Sequence, residues 1–283
     1  MEIKSLNNVN FNTLYKAFSR AFATYDMQLN EEQLKAMLKR RGFNPELSFA
    51  AFDGNEIVAF TFNGTGNFNG LPTAYDTGTG TLKEYRGQGL ATKIFEHSIP
   101  FLRQANIRQY LLEVLQHNTK AVSVYRNIGF QVSRELSYFV QKNENVSNSP
   151  KQPNHRYSVK EVAIEALSSV SAFWDFYPSW QNSFESINRA KESFSCLAAY
   201  TESMLVGYGV FEPVSGDIAQ LAVDKEYRRQ GIGSTLLNEM MKLNRNDAVK
   251  VVNTAAECLS VTDFLKAKNI AVTGKQFEML KPV

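Results

Sequence analysis

Two nearly identical segments of ten residues have the composition of an anion-binding loop. The first, "EYRGQGLATK", occupies residues 84–93, and the second, "EYRRQGIGST", occupies residues 226–235. Each stands between a segment that favours a strand and one that favours a helix. The first backbone NH groups of a helix lack partners within it, and the helix dipole favours an anion there. Because Gly87 and Gly89 have no side chains, phosphate oxygens could approach the main chain closely, with Arg86 at the edge of the loop.

The segments differ from two common nucleotide-binding loops. Neither has the GK[ST] ending of a Walker loop, and neither has the GxGxxG spacing of a dinucleotide-binding turn. The sequence therefore does not favour ATP or NAD as a ligand. Pyrophosphate binding is the functional interpretation, and glycines that serve only a turn are the structural alternative.

A second group of residues follows the first loop at a fixed distance. The segment "NTKAVSVYRNIGF" predicts a helix, and its notable residues are Asn118, Ala121, Tyr125, Gly129 and Phe130. This segment resembles the asparagine-to-tyrosine helix of the GNAT acetyltransferase superfamily, and "RGQGLA" and "RRQGIG" resemble the coenzyme-A-binding signature of that family. The resemblance covers nearly all of residues 1–140 and, more loosely, residues 156–283.

The resemblance implies transfer of an acetyl group from acetyl-CoA to a primary amine by direct attack in a ternary complex. The alternative is a non-catalytic acyl-CoA-binding, sensor or scaffold protein. Main-chain NH groups of the loop would hold the pyrophosphate, and the preceding strand would pair with the pantetheine arm and polarise the thioester carbonyl. Asn118 would contact that arm or order water beside it. The implied cofactor-binding residues of the first half are Thr79, Gly80, Thr81, Arg86, Gly87, Gln88, Gly89, Leu90, Ala91, Thr92 and Asn118. Those of the second half are Leu221, Ala222, Val223, Arg229, Gln230, Gly231, Ile232, Gly233 and Ser234.

The resemblance also implies roles in proton transfer. Tyr125 would protonate the departing CoA thiolate, because the ordinary pKa of a tyrosine exceeds that of a thiol; a core aromatic is the alternative. A protonated amine must lose a proton before attack, and Asp76, ten residues before Arg86, is the available carboxylate. Glu113 is the second choice and His117 a third. Asp76 could instead form a turn or brace the strand.

The second half departs from this pattern after its loop. Alignment of the two helices places Phe264 at the position of Tyr125, Glu257 at that of Asn118, and Lys268 at that of Gly129. Phenylalanine cannot donate a proton. Asp217, eleven residues before Arg228, keeps a carboxylate near the position of the base. We therefore expect the second half to be degenerate, able to bind CoA but poor at transfer.

The strands and helices that must position these residues are predicted in both halves of the chain. "AAFDGNEIVAF" from Ala50 and "AAYTESMLVGY" from Ala198 each predict a hairpin, and the order in the first half is helix, helix, three strands, helix, strand, helix, strand. The fold class is therefore α/β (α+β), with two tandem GNAT-like domains, each a mixed, mostly antiparallel sheet flanked by helices. The predicted domains are residues 1–140, catalytic, and 155–283, joined by a polar linker at 141–154.

Two further segments are candidates for the walls of an acceptor site. The first half has six extra residues in "NGTGNFNGLPT", which predicts a loop. The second half contains "FWDFYPSWQNSFES", residues 173–186, in which Pro178 interrupts any helix and leaves Trp180 and Gln181 on a loop. This aromatic segment has three interpretations: packing in a core, a wall of the acceptor site, or a seal between the halves.

Composition limits the partners. The net charge is +3 without basic runs, no segment has the roughly 18 apolar residues of a membrane helix, and the N-terminus lacks a signal-peptide core. We expect a cytoplasmic protein that binds neither nucleic acid nor membrane, with a small-molecule or peptide amine as acceptor, as a monomer or a dimer. Cys196 and Cys258 do not support a disulfide framework. His97, His117 and His155 lack ligand spacing, so no metal is expected.

Overall fold

The fold consists of two compact units of mixed α/β structure. A computed structural model describes residues 1–24, 28–147, 157–167 and 169–283. The first unit comprises Met1–Ser133 with Phe277–Val283, and the second comprises Arg134–Gln276. Within the described residues, no helix is both long enough and apolar enough to cross a membrane. Residues 148–154 of the predicted linker lie outside the described residues, as does His155.

The first unit is a sheet with helices on it. Its strand order in the sheet is β1-β2-β3-β4-β5, and the end of the last strand of the chain, from Phe277 onward, lies beside β5. The strands are β1 (Glu2–Ser5), β2 (Phe49–Asp53), β3 (Glu56–Phe68), β4 (Leu71–Thr81) and β5 (Gln109–Leu115). The helices are α1 (Phe11–Ala21), α2 (Glu31–Arg41), α3 (Leu90–Gln104) and α4 (Thr119–Asn127). The predicted order is confirmed, with β1 added in front of it.

The second unit repeats this plan. Its strand order is β6-β11-β10-β9-β8-β7. The strands are β6 (Gln131–Lys142), β7 (Ser158–Val162), β8 (Ser195–Thr201), β9 (Met204–Glu212), β10 (Asp217–Val223), β11 (Ala248–Ala255) and β12 (Val272–Pro282). The helices are α5 (Phe184–Arg189), α6 (Ile232–Leu243) and α7 (Leu259–Ala267). The units divide β6 after Ser133 and β12 before Phe277, whereas the sequence places a domain boundary at 141–154.

Local sequence fixes the ends of several elements. Asn30 caps α2 by accepting a hydrogen bond from the NH of Gln33, and the side chain of Gln33 accepts one from the NH of Asn30. Gly42 ends that helix with a φ of 74°, which a side chain would oppose. Both predicted hairpins are confirmed, since β2 pairs with β3 and β8 with β9 in antiparallel fashion.

The predicted loop "NGTGNFNGLPT" is wrong. The extra residues lengthen the β3–β4 hairpin, whose pairing runs out to Phe68 and Leu71. Asn69 and Gly70 form its turn with φ values of 51° and 76°. An Asn-Gly pair suits a two-residue turn that needs a positive φ at both positions, and the twist of such a turn matches that of the strands. The asparagines and glycines thus mark a long hairpin.

Each sheet contains the same irregularity before the α3 or α6 helix. Phe62 pairs with Gly78 and Asn63 with Asp76, so Thr77 is an extra residue in β4. In the second unit, Val210 pairs with Gln220 and Phe211 with Ile218, so Ala219 is the extra residue in β10. A bulge of this kind turns the strand and shifts which side chains face each side of the sheet.

Candidate active site

The loop before α3 leaves backbone donors at the start of a long helix. Gly87 and Gly89 have φ values of 81° and 70°, and no atom lies within 4 Å of the position that a Cβ would take at either residue. Gly89 is the N-cap of α3 and provides no side-chain cap. The first NH groups of α3 are therefore directed at open space, an arrangement that fits a phosphate group.

Arg86 holds the loop to the end of β4. Its Nε donates to the carbonyl oxygen of Thr81 at 3.1 Å, and its Nη2 donates to that of Ala21 at 3.0 Å. Two of its donors are thus used within the protein. We infer that the main role of this guanidinium is to fix the loop against the strand.

Strands β4 and β5 separate beside this loop. They pair in parallel only from Thr73 to Tyr75, opposite Gln109 to Leu111. Both strands continue beyond these pairs, β4 to Thr81 and β5 to Leu115. The β5-facing edge of Thr79–Thr81 therefore has main-chain groups that an extended ligand with amides could pair with.

Asp76 and Tyr125 meet at this separation. The two carboxylate oxygens of Asp76 accept hydrogen bonds from the NH of Gly78 at 2.9 Å and the hydroxyl of Thr79 at 2.8 Å. The hydroxyl of Tyr125, on α4, donates to the second oxygen at 3.4 Å. The structure thus brings together the two residues that the sequence predicts to be catalytic.

The surroundings of Asp76 change its acidity. Burial raises the pKa of Asp76 to about 6, against the opposing effect of hydrogen bonds from Thr79, Gly78 and Tyr125 and of the charge on Arg41. Such a carboxylate is ionised at neutral pH but holds a proton more strongly than an exposed aspartate. It is therefore suited to accept a proton near neutral pH.

Glu113 occupies the other face of the same strands. Ala74 pairs with Tyr110 on the side packed against α3 and α4, so Tyr75 and Glu113 face the opposite side. The hydroxyl of Tyr75 donates to Glu113 Oε2 at 3.1 Å, and the Arg41 guanidinium lies 6.0 Å from the Tyr75 ring centroid. The two candidate bases therefore lie on opposite faces of the sheet.

The other two candidates have different surroundings. The side chain of Asn118 caps α4 by accepting a hydrogen bond from the NH of Ala121 at 3.3 Å. His117, beside it, is exposed. Among the described residues, no group of three or more His, Cys, Asp or Glu side chains could hold a metal ion.

The second unit contains a cavity of about 490 Å³ at the matching place. Its walls include the loop residues Gly231–Ser234, parts of strands β10 and β11, and the aromatic segment around Trp174. The loop has the same form as in the first unit, with Arg229 and Gly231 at φ values of 64° and 92° and an uncapped α6. The hydroxyl of Tyr157 donates to the carbonyl oxygen of Gln230 at 2.8 Å and fixes its shape.

Comparison with known proteins decides the family. The model of the acetyltransferase (GNAT) family matches residues 11–130 and 161–259. The chain belongs to the GNAT acetyltransferase family.

Two solved GNAT proteins show the same fold over the whole chain. The tandem GNAT protein from the clavulanic acid biosynthesis pathway has a TM-score of 0.74 and 13% identity, with 99% of this chain and 98% of that chain covered. A GCN5-related N-acetyltransferase from Sphaerobacter thermophilus has a TM-score of 0.73 and 13% identity, with 99% and 95% covered. The predicted fold class is confirmed.

A curated relative shares part of the sequence. N-alpha-acetyltransferase 30 of Schizosaccharomyces pombe is 31% identical over 87 residues, which are 30% of this chain. This chain spans 58% of the length of that relative.

In the second unit, α7 corresponds to α4, and the match of their residues lies one position further along the chain than the sequence alignment predicts. Cys258 is the N-cap of α7 as Asn118 is of α4, and the NH of Ile270 bonds to the carbonyl of Leu265 as that of Phe130 bonds to that of Tyr125. Leu265 therefore occupies the position of Tyr125, Cys258 that of Asn118, and Asn269 that of Gly129. The alignment with Phe264, Glu257 and Lys268 was wrong because it did not identify Asn269, with a φ of 60°, as the residue that ends the helix.

The GNAT base position is also different in the second unit. Counted from the bulges at Thr77 and Ala219, Ile218 corresponds to Asp76, and Asp217 to Tyr75. Ile218 lines the cavity, whereas Asp217 does not. The expectation that Asp217 keeps a carboxylate near the base position was therefore wrong. The second unit has aliphatic side chains at both positions.

The aromatic segment of the second unit has two roles. Trp180 is buried in the core with 1% of its surface exposed, as the packing interpretation predicts. Trp174 instead lines the cavity and donates from Nε1 to the hydroxyl of Tyr208 at 2.6 Å. The sequence identified the segment, and only the structure separated the core residue from the wall residue.

Proposed function

We propose that this GNAT chain transfers an acetyl group from acetyl-CoA to a primary amine, with the chemistry in the first unit. The pairing of Asp76 with Tyr125 at the separation of β4 and β5 carries this proposal. It places a carboxylate suited to accept a proton beside a hydroxyl that can donate one. In the second unit, Ile218 and Leu265 cannot do either.

The first unit has features that fit CoA. The NH groups from Gly87 to Thr92 would hold the pyrophosphate, because the loop and the uncapped start of α3 face open space. The edge of Thr79–Thr81 would pair with the amides of the pantetheine arm. One NH of this edge would stabilise the charge that develops on the thioester oxygen.

Proton transfer follows from the positions of the two side chains. Asp76 takes a proton from the attacking ammonium, directly or through water, as the amine nitrogen bonds to the acetyl carbon. The carbon–sulfur bond then breaks as Tyr125 donates its proton to the leaving thiolate. The excess proton on the new amide nitrogen passes to the Tyr125 phenolate, directly or through water, so that a neutral amide and the CoA thiol are released. The hydrogen bond from Tyr125 to Asp76 is long, at 3.4 Å, so this hydroxyl is able to turn away from the carboxylate.

The acceptor is proposed as a primary amine of a small molecule or a peptide. The S. pombe relative is named an N-alpha-acetyltransferase, which supports the inclusion of peptide α-amines. A screen of CoA release from acetyl-CoA over polyamines, aminoglycosides and short peptides tests the proposal. We expect turnover that increases with pH through an apparent pKa near 6 for the Asp76 step, and no turnover with any amine would reject the proposal.

A further inference from the structure

The cavity of the second unit is shaped for a ligand and lacks the carboxylate and the tyrosine that the first unit has at two matched positions. It encloses about 490 Å³, within the range of small-molecule sites. Ile218 lines it where the first unit has Asp76, and Leu265 lines it where the first unit has Tyr125. A thioester held there would meet no carboxylate base and no tyrosine acid at these two positions.

One wall of this cavity is aromatic and includes Trp174 and Tyr208. Trp174 stacks near Phe184 with ring centroids 6.2 Å apart, and Phe184 lies near Tyr208 at 6.3 Å. The hydroxyl of Tyr208 accepts from Trp174 Nε1 and donates to Gln220 Oε1, both at 2.6 Å. Because the hydroxyl is bonded within the protein, the Tyr208 ring presents an apolar surface to the cavity.

Another part of the wall is the phosphate-type loop. Gly231, Gly233 and Ser234 line the cavity beside the edge of Leu221–Val223, which continues beyond the single β10–β11 pair of Asp217 with Lys250. One cavity thus has backbone NH donors, an open strand edge and an aromatic wall. A ligand that matches all three has an anionic head, an arm with amides and an apolar tail.

Arg228 connects the loop to the aromatic wall. Its Nη1 lies 3.1 Å from a carboxylate oxygen of Asp175, and its Nη2 donates to the carbonyl oxygen of Phe173 at 3.2 Å. Ser260 donates to the same carboxylate at 2.6 Å. Burial raises the pKa of Asp175, but the hydrogen bonds from Ser260 and Arg228 outweigh it and hold that pKa below its ordinary value. This ion pair keeps the aromatic wall in place beside the loop.

We propose that the second unit binds a CoA thioester whose acyl group is apolar and longer than acetyl, and holds it without reaction. The loop and strand edge hold the CoA part, and the aromatic wall contacts the acyl chain. This binding is separate from the transfer proposed for the first unit, and the two proposals can fail independently.

Tryptophan fluorescence provides a direct test. The chain has two tryptophans, Trp174 and Trp180, and both lie in the second unit. CoA, acetyl-CoA and octanoyl-CoA are titrated into the full chain while this fluorescence is recorded. We expect a saturable change, with octanoyl-CoA at least tenfold tighter than acetyl-CoA, because each buried methylene contributes about fourfold. No change, or equal affinity for CoA and octanoyl-CoA, overturns the proposal.

Variants at the loop separate binding from folding. In Gly233→Asp, a carboxylate at the first turn of α6 favours the helix dipole but repels a phosphate group. We expect affinity for octanoyl-CoA to fall by thirtyfold or more. The control is Gly233→Ala, which introduces the residue that Ala91 supplies in the first unit and whose Cβ would lie 3.5 Å from the Phe264 ring. It should stay within threefold of the parent, and unchanged affinity in Gly233→Asp contradicts the proposal.

A variant at an apolar residue of the cavity wall tests where the acyl chain binds. Ile218→Thr keeps a β-branched side chain in β10 but adds a hydroxyl to the cavity wall. We expect it to reduce the preference for octanoyl-CoA over CoA several-fold and to leave the affinity for CoA itself unchanged. Equal loss for both ligands would show that the acyl chain lies elsewhere.

Two readouts on the same samples distinguish this proposal from acetyl transfer. Octanoyl-CoA incubated with Asp76→Asn should remain intact by mass spectrometry. A chain that turns over acetyl-CoA without the fluorescence change would support the first unit's role and reject this one. A fluorescence change without turnover of any amine would support binding by the second unit and reject the transfer proposed for the first.

Discussion

The loops of the two units are nearly the same, and the side chains opposite them are not. Both units have a bulge, an uncapped helix start and an arginine that fixes the loop to the strand end. The first unit has Asp76 and Tyr125 at the separated strands, whereas the second has Ile218 and Leu265. The difference shows that the loop geometry can be kept while the polar side chains opposite it are replaced by aliphatic ones.

The two arrangements also differ in energy. Burial raises the pKa of Asp76, so at neutral pH the first unit keeps an ionised group in a place that disfavours it. Ile218 in the same place is 1% exposed and belongs to a hydrophobic core. The second unit therefore gains apolar packing where the first keeps a buried carboxylate.

The largest expected effect is that of removing the charge of Asp76. Asp76→Asn should lower kcat/KM by about 10² to 10⁴, the usual contribution of a general base. Glu113→Gln, a carboxylate on the opposite face of the sheet, is the matched control and should cost less than tenfold. Steady-state kinetics with the best amine measure both effects. A larger loss of activity in Glu113→Gln would indicate that Glu113, not Asp76, is the base.

Removal of the Tyr125 hydroxyl should have the next largest effect. Tyr125→Phe keeps the ring contacts with Phe95 and Phe130, at 5.8 and 5.9 Å between centroids, but has no proton to donate. We expect kcat to fall by about 10² with little change in KM. Tyr110→Phe removes a buried hydroxyl that bonds Asn63 at 2.6 Å and serves as the control. Unchanged turnover in Tyr125→Phe would contradict the assignment.

The stability of the first unit should depend on pH through Asp76. The folded pKa is about 6 against an ordinary value of 3.8, so the protonated form is favoured in the folded state. Stability therefore falls as the pH rises from about 4 to above 6. Asp76→Asn should raise the free energy of unfolding by about 2 to 3 kcal/mol at pH 8 and change it little at pH 4. Denaturant titrations at the two pH values measure this, and an equal effect at both would exclude this cause.

The smallest effect tests whether α4 and α7 are correctly matched. Gly129 and Asn269 follow these helices with φ values of 96° and 60°. Gly129→Ala should lower the free energy of unfolding by about 1 kcal/mol, since a Cβ opposes a positive φ. Asn269→Ala should lower it by about the same amount, since alanine lacks the short polar side chain that lets asparagine adopt this conformation. Ser123→Ala, at an exposed site within α4, should leave it unchanged. If Asn269→Ala has no effect, the match of Leu265 with Tyr125 loses its support.

The sequence predicted much of the fold and selected Asp76 and Tyr125, which lie together in the structure, but it did not predict the register of the second unit. Cap residues such as Asn30 and Gly42 act on their own helix, and their effect is visible in a short window. The extra residue at Ala219 is visible only once β9 lies beside β10. Counting residues back from the loop therefore suggested Asp217, next to the correct residue.

The amino-acid sequence alone determined the two loops, the helix with Asn118 and Tyr125, and the duplication, because these depend on neighbours along the chain. Only the tertiary structure decided that Asp76 meets Tyr125, that Glu113 faces the other side, and that Ile218 lines the second cavity. The reason is that side chains alternate between the faces of a strand. A bulge reverses that alternation, and its position depends on pairing with another strand.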